Sequence, residues 1–170
     1  DAEVLANATA QGLVCLGKTH MSELAFSGLG LNPVTATPAC INDAAAVAGG
    51  SSSGAAASIA CDLAAGAIGS DTGGSVRIPA AWNDLVGLKT TAGRVSVQGV
   101  VPLCATFDTV GPLSKTVEDA ALLLAALEGR TPADLTASSL RGKRLGVLQT
   151  VAFDELREAP ALGFETALAK

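Results

Sequence analysis

The sequence predicts an α/β fold. Short apolar runs with strand character alternate with longer helical segments rich in alanine and leucine. Apolar residues make up 49% of the 170 residues and charged residues 16%, a balance that supplies a core and excludes disorder. No repeat period is present.

Each element follows from local chemistry. Residues 2–11 are good helix formers, and Gly12 can close the helix. Residues 13–16 form an apolar run expected as a buried strand, followed by a short helix around 21–26. Residues 27–49, with Pro33, Pro38 and several glycines, are expected to be irregular. Residues 55–65 read as a buried helix, apolar nearly all round, and 67–70 as a short strand. Residues 76–81 leave a tight turn and contain Pro79, and 85–88 is a short buried piece. Residues 102–110 read as a loop. Thr116 begins a helix to residue 127, with Glu118 and Asp119 in its first turn and Gly129 beyond its end. Residues 144–148 read as a strand and 153–170 as a helix interrupted near Pro160.

Charge narrows the function classes. The net charge is −5, and no Lys/Arg cluster can track a phosphate backbone, so nucleic acid is not an expected partner. No basic amphipathic helix or long apolar run suits a membrane. Cys15, Cys40, Cys61 and Cys104 contain no CxxC pair and read as free buried thiols of a reducing, cytoplasmic compartment. His20 is the single histidine, so a zinc site of the common type is not expected.

The sharpest feature is a pair of Gly-Ser turns, Gly49-Gly50-Ser51-Ser52-Ser53-Gly54 and Asp71-Thr72-Gly73-Gly74-Ser75. A helix and a returning strand separate them, so both can meet in one cleft. Serine needs a nearby base to act as a nucleophile. His20 is one candidate, without any Gly-x-Ser-x-Gly elbow behind it, and a serine relay ending in a neutral lysine is another. Glycines before Ser75 leave backbone N–H groups free for an oxyanion, which suits acyl transfer. The same turns also read as an anion nest, or as plain caps in which Ser52 or Ser53 starts the following helix. Spacing alone leaves all three readings open.

Longer motifs carry a resemblance. The two turns extend into Gly69-Ser70-Asp71-Thr72-Gly73-Gly74-Ser75-Val76-Arg77-Ile78-Pro79, followed by Val86-Gly87-Leu88-Lys89-Thr90, Phe107-Asp108-Thr109-Val110-Gly111-Pro112-Leu113 and Thr116-Val117-Glu118-Asp119. Upstream stands Gly17-Lys18-Thr19-His20-Met21. Over roughly residues 13–150 the sequence resembles the amidase signature family. The resemblance implies an α/β/α core with a mixed twisted sheet covered by helices. It also implies hydrolysis of a carboxylic amide C–N bond through a serine acyl-enzyme, without metal or cofactor.

Carried over residue by residue, Ser75 becomes the nucleophile and Ser51 the proton relay, with the Gly50–Ser51 bond expected cis. The backbone N–H groups of Thr72, Gly73, Gly74 and Ser75 become the oxyanion hole. Ser52, Asp71, Lys18 and Arg77 become supporting residues, Asp71 by holding the turn and Arg77 by buried pairing. Asp108 is expected as an anchor near the site, and Lys89 and Arg94 as internal ion-pair partners. His20 is expected as a hydrogen-bonded satellite and Cys104 as buried packing.

The sequence departs from the family at the third member of its triad. The family's catalytic lysine lies in a Lys-Asp element well before the relay serine, and no Lys-Asp pair is present here. Lys18 belongs to the separate Gly-Lys-Thr element. Residues 1–170 therefore read as the central part of a single domain that continues at both ends, and the piece alone is expected to be inactive. Its expected partners are a small-molecule amide and either a second copy or a chain carrying the missing parts. Two rival readings stand: a glutamyl-tRNA amidotransferase-type subunit, which passes ammonia to an acylated acceptor on transfer RNA, and a non-catalytic scaffold.

Overall fold

The computed structural model describes all 170 residues, Asp1–Lys170. They form two compact units, Asp1–Leu135 and Thr136–Lys170.

The first unit is built on a three-stranded sheet, β3 (Ala67–Asp71), β5 (Thr109–Ser114) and β4 (Val86–Gly87), in the order β3-β5-β4. Both pairings are antiparallel, so β3 and β4 run the same way with β5 between them. Residue alternation along β5 explains the layering. Val110 packs with Val4, Ala8 and Leu127, from α1 (Glu3–Ala10) and α4 (Val117–Glu128). Leu113, on the opposite face, packs with Ala55, Ala56, Val76 and Ala80, on and beside α2 (Ser53–Ala60) and α3 (Arg77–Trp82). Ile68 and Ala67 divide between the same two clusters. Helices thus cover both faces, as an α/β/α core requires. Each large buried aliphatic, such as Leu113 or Leu127, contributes about 2 kcal/mol. Small residues let α2 lie close: five of its eight residues, Ser53–Ala56 and Ile59, are buried.

Helix α4 has the ends its sequence dictates. The Thr116 hydroxyl accepts from the Asp119 N–H at 3.0 Å, and Gly129 closes the helix at φ 65°. Helix α3 starts where a proline reads as a break. Pro79 sits in its first turn, where a missing N–H costs no helical bond.

Several expectations are corrected. Residues 13–16 form no strand. The Leu13 N–H closes α1 onto Ala8, while Val14 and Leu16 are 80% and 75% exposed with no neighbouring strand to pair with. Residues 144–148 also form no strand, and Leu145 and Leu148 are exposed. The helix around 21–26 is a 3₁₀ turn, Glu23–Ala25. The irregular stretch 27–49 contains the ladder β1 (Ala39–Cys40) with β2 (Asp43–Val47). The loop expected over 102–110 gives way at Thr109 to β5. Its Gly111 and Pro112 look like breakers, yet Pro112 still accepts from the Leu88 N–H at 3.1 Å through its carbonyl. The cysteines are free, but Cys15, Cys61 and Cys104 are exposed rather than buried.

The second unit holds a 3₁₀ turn, Val151–Phe153, and α5 (Glu158–Leu168). Phe153 meets Phe164 edge to face at 5.0 Å. No helix of the protein is long and apolar enough to cross a membrane.

Candidate active site

Two serine turns meet at one end of the sheet. The first leads into α2. Gly50 donates to the Gly28 carbonyl at 2.7 Å, and the Gly50–Ser51 peptide is cis. The Ser51 carbonyl accepts from Ser22 N–H at 3.0 Å and Ser53 N–H at 2.9 Å. The second turn joins β3 to α3. The two are stitched directly: the Ser52 N–H donates to the Ser75 carbonyl at 3.1 Å. Ser52 lies against β3, its hydroxyl 3.4 Å from the Ser70 carbonyl, and this approach needs glycine at Gly69. A Cβ there would fall 2.5 Å from Ser52 Oγ. Neither Ser52 nor Ser53 caps α2 through its side chain, so the plain-cap reading fails. Ser53 turns its hydroxyl to the His20 carbonyl instead.

The serine hydroxyls sit in different surroundings. Ser75 opens on a cleft of about 280 Å³ lined by Thr72, Gly73, Ile78, Phe26 and Leu103 among others. Ser51 is wholly buried, and its Oγ is the one buried side-chain polar atom without a hydrogen-bond partner. Buried hydroxyls are nearly always paired, so this atom is an exception within the fold.

Asp71 organises the second turn. It is fully buried and accepts from Gly74 N–H at 2.8 Å, Val76 N–H at 3.1 Å and Arg77 N–H at 3.3 Å. The Arg77 guanidinium adds two parallel bonds at 3.0 Å each. Burial works against the carboxylate charge, but the Arg77 side chain and the Val76 N–H outweigh it and hold the pKa at about 2. The expected oxyanion donors are thereby narrowed. The Gly74 N–H is taken by Asp71, because a buried carboxylate is the strongest acceptor in reach. The N–H groups of Thr72, Gly73 and Ser75 donate to no protein atom.

A second carboxylate braces the outer loop. Asp108 accepts from the Thr72 hydroxyl and from the N–H groups of Leu103 and Cys104, both at 2.9 Å. Its burial raises the pKa, and the Thr72 and backbone hydrogen bonds reverse that to a net lowering. Lys89 reaches the carbonyls of Asp71, Thr72 and Phe107, the Thr109 hydroxyl, and the Asp71 carboxylate at 3.3 Å. The sequence suggested an internal ion pair for Lys89. The larger part of its bonding, to main-chain carbonyls, leaves no mark in a one-dimensional pattern.

Other residues fall outside the cluster. Lys18 is exposed and makes no hydrogen bond or ion pair. The main chain beside it, not its ammonium, supports the site: the Gly54 N–H donates to the His20 carbonyl at 2.8 Å. The His20 ring lies 3.2 Å from the Thr35 hydroxyl, a satellite position. Arg94 pairs with Glu128. Thr109, whose hydroxyl donates to the Asp71 carbonyl at 2.8 Å, is a site residue the sequence reading missed. Phe26, Ile78 and Leu103 were missed as cleft walls because they come from three separate segments.

Comparison with known proteins adds the family context. The Amidase family model matches residues 1–163. The chain is 41% identical over 154 residues to a glutamyl-tRNA(Gln) amidotransferase subunit of Cereibacter sphaeroides, covering 81% of this chain and 31% of that protein. A peptide amidase of Stenotrophomonas maltophilia superposes with a TM-score of 0.73 at 40% identity, over 77% of this chain and 28% of that one. A peptide amidase in complex with the competitive inhibitor chymostatin superposes with a TM-score of 0.82 at 34% identity, over 99% of this chain and 39% of that one. The chain thus spans about a third of the length of the proteins it matches.

Proposed function

The chain belongs to the amidase signature family, and from that premise we propose that it hydrolyses a carboxylic amide through an acyl ester on Ser75. The observation that carries this reading is that Ser75 lines an open cleft on a turn bonded directly to the turn holding the buried, unpartnered Ser51 hydroxyl. The Ser75 oxygen attacks the amide carbonyl carbon, and the carbonyl electron pair moves onto oxygen. The N–H groups of Thr72, Gly73 and Ser75 receive that charge. The Ser75 proton passes to Ser51, whose hydroxyl offers one donor and two acceptor positions. Ser51 hands its own proton to the base. The same route returns a proton to the departing nitrogen as the C–N bond breaks. Water then cleaves the ester by the reverse sequence and releases the acid.

The base comes from polypeptide beyond these 170 residues and is a lysine, as in the family's triad. Lys18 is directed to solvent and Lys89 is engaged by carbonyls, so neither takes that position.

A second reading is favoured by the relatives, several of which are subunits of glutamyl-tRNA(Gln) amidotransferases. The same cleft would then release ammonia for an acceptor held by partner subunits. The two readings share Ser75 and differ in whether turnover of small amides depends on those partners. A scaffold role without catalysis predicts no Ser75-dependent turnover at all.

The test uses purified protein with every co-purifying chain retained and its intact masses recorded. A panel of small linear amides is assayed with the protein and with S75A. The expected result is turnover, abolished by S75A, whenever a second polypeptide or a longer chain is present, and none from the 16.7 kDa chain alone. Turnover that survives S75A contradicts the nucleophile. Turnover by the 16.7 kDa chain alone contradicts the external base.

A further inference from the structure

We propose that Lys89 is a positioning residue for the oxyanion hole: it sets the orientation of two consecutive peptide planes so that their N–H groups face the cleft. This rests on the reading of Ser75 as the nucleophile.

In a trans peptide the C=O and N–H point in opposite directions. The Asp71–Thr72 and Thr72–Gly73 peptides are both trans. Lys89 Nζ binds the Asp71 carbonyl and, at 3.3 Å, the Thr72 carbonyl. Thr109 Oγ holds the Asp71 carbonyl from the same side at 2.8 Å and accepts from Lys89 Nζ at 3.1 Å. Thr72 and Gly73 line the cleft, and Lys89 does not. Both carbonyls are therefore drawn away from the cleft, and the N–H groups of Thr72 and Gly73 are aimed into it. Those are two of the three donors left once Asp71 has taken the N–H of Gly74.

Thr109 and Asp108 help to hold Asp71 and Thr72, but the Thr72 carbonyl has Lys89 as its protein donor. Gly73 has no Cβ, and a Cβ there would meet nothing within 4 Å, so packing does not lock its φ and ψ. A turn so free relaxes by flipping a peptide, which would point a carbonyl at the developing oxyanion. Asp71 anchors the far half of the turn through Gly74 and Val76, and Lys89 anchors the near half. The ammonium suits the task because it presents several donors from one point to carbonyls that converge on it. Its carboxylate neighbour at 3.3 Å keeps its charge paired.

The test compares K89M, K89R and T109V with the unsubstituted protein, co-purifying chains retained, by crystal structure and by kcat and KM on the amide that is turned over. Loss of one oxyanion donor costs about 100-fold in kcat. K89M is expected to show the Thr72–Gly73 peptide rotated, with kcat down about 100-fold and KM within about threefold. K89R, which keeps the charge and some donors, is expected to recover part of kcat. T109V, nearly isosteric, is expected to lose about tenfold and carries the test if K89M does not fold. A K89M or T109V turn unmoved in the crystal, or moved with kcat unchanged, overturns the proposal. If the unsubstituted protein shows no Ser75-dependent turnover, the hydrolase reading fails, while the crystal structures still decide the orientation.

Discussion

The Ser52 N–H donates to the Ser75 carbonyl at 3.1 Å, and this bond joins the turn that carries the fully buried Ser51 hydroxyl to the turn that sets Ser75 at the cleft. It places Ser51 and Ser75 on backbone fixed by a shared contact, not on independent loops. The geometry of the site then depends on how each turn is held, and each hold makes its own prediction.

Ser51 separates function from stability. Its Oγ is buried and unpaired, so its removal orphans no partner and relieves a desolvated hydroxyl. S51A in the 16.7 kDa chain is expected to be neutral, or stabilising by about 1 kcal/mol, in urea unfolding. In protein with its co-purifying chains retained, the proposed mechanism predicts that the same substitution abolishes Ser75-dependent turnover. Destabilisation of the 16.7 kDa chain by more than about 1 kcal/mol would show that the hydroxyl has a partner there.

Asp71 gives the protein an acid limb. Its folded pKa, about 2, lies below the ordinary aspartate value of 3.8, so the stabilisation is present above pH 4 and is lost as pH falls towards 2. The shift corresponds to about 2 kcal/mol. Thermal unfolding from about pH 5 to 2 should show a fall in Tm that is smaller in D71N. D71N should also start from a lower Tm at neutral pH, because an amide serves the Arg77 guanidinium and three N–H groups poorly. Parallel pH profiles for the two proteins would remove Asp71 from this role.

Gly111 is a packing constraint within the central strand. A Cβ there would overlap the Leu88 carbonyl oxygen, and both groups are main chain. G111A is expected to destabilise by about 3 kcal/mol, by displacing the segment that carries Lys89. Denaturant midpoints measure this. A change below about 1 kcal/mol would mean that the strand shifts freely.

Legibility in the sequence followed the range of the interactions. Thr116, Glu118, Asp119 and Gly129 act within one helix, and α4 was readable in full. The serine turns were readable because glycine and serine cluster in the chain itself. Strand β5 was not, because Gly111 and Pro112 contradict strand propensity and only pairing with β3 and β4 overrides it. Residues 13–16 fit a strand pattern but find no partner in this chain, and a strand exists only when paired. Of the site, the two turns that carry Ser51, Asp71 and Ser75 were visible by type and spacing, and the roles of these three residues only through the family resemblance. Lys89 was visible only as a charge, since its main partners are carbonyls, which every residue carries.

The proposed chemistry stands or falls on Ser75 taking up the acyl group. Treating the protein, with its co-purifying chains, with an alkyl fluorophosphonate and mapping the adduct by peptide mass reads this out. One adduct is predicted, on the peptide containing Ser75, absent in S75A and strongly slowed in S51A. An adduct on any other residue, or one that forms equally fast in S75A, would contradict it.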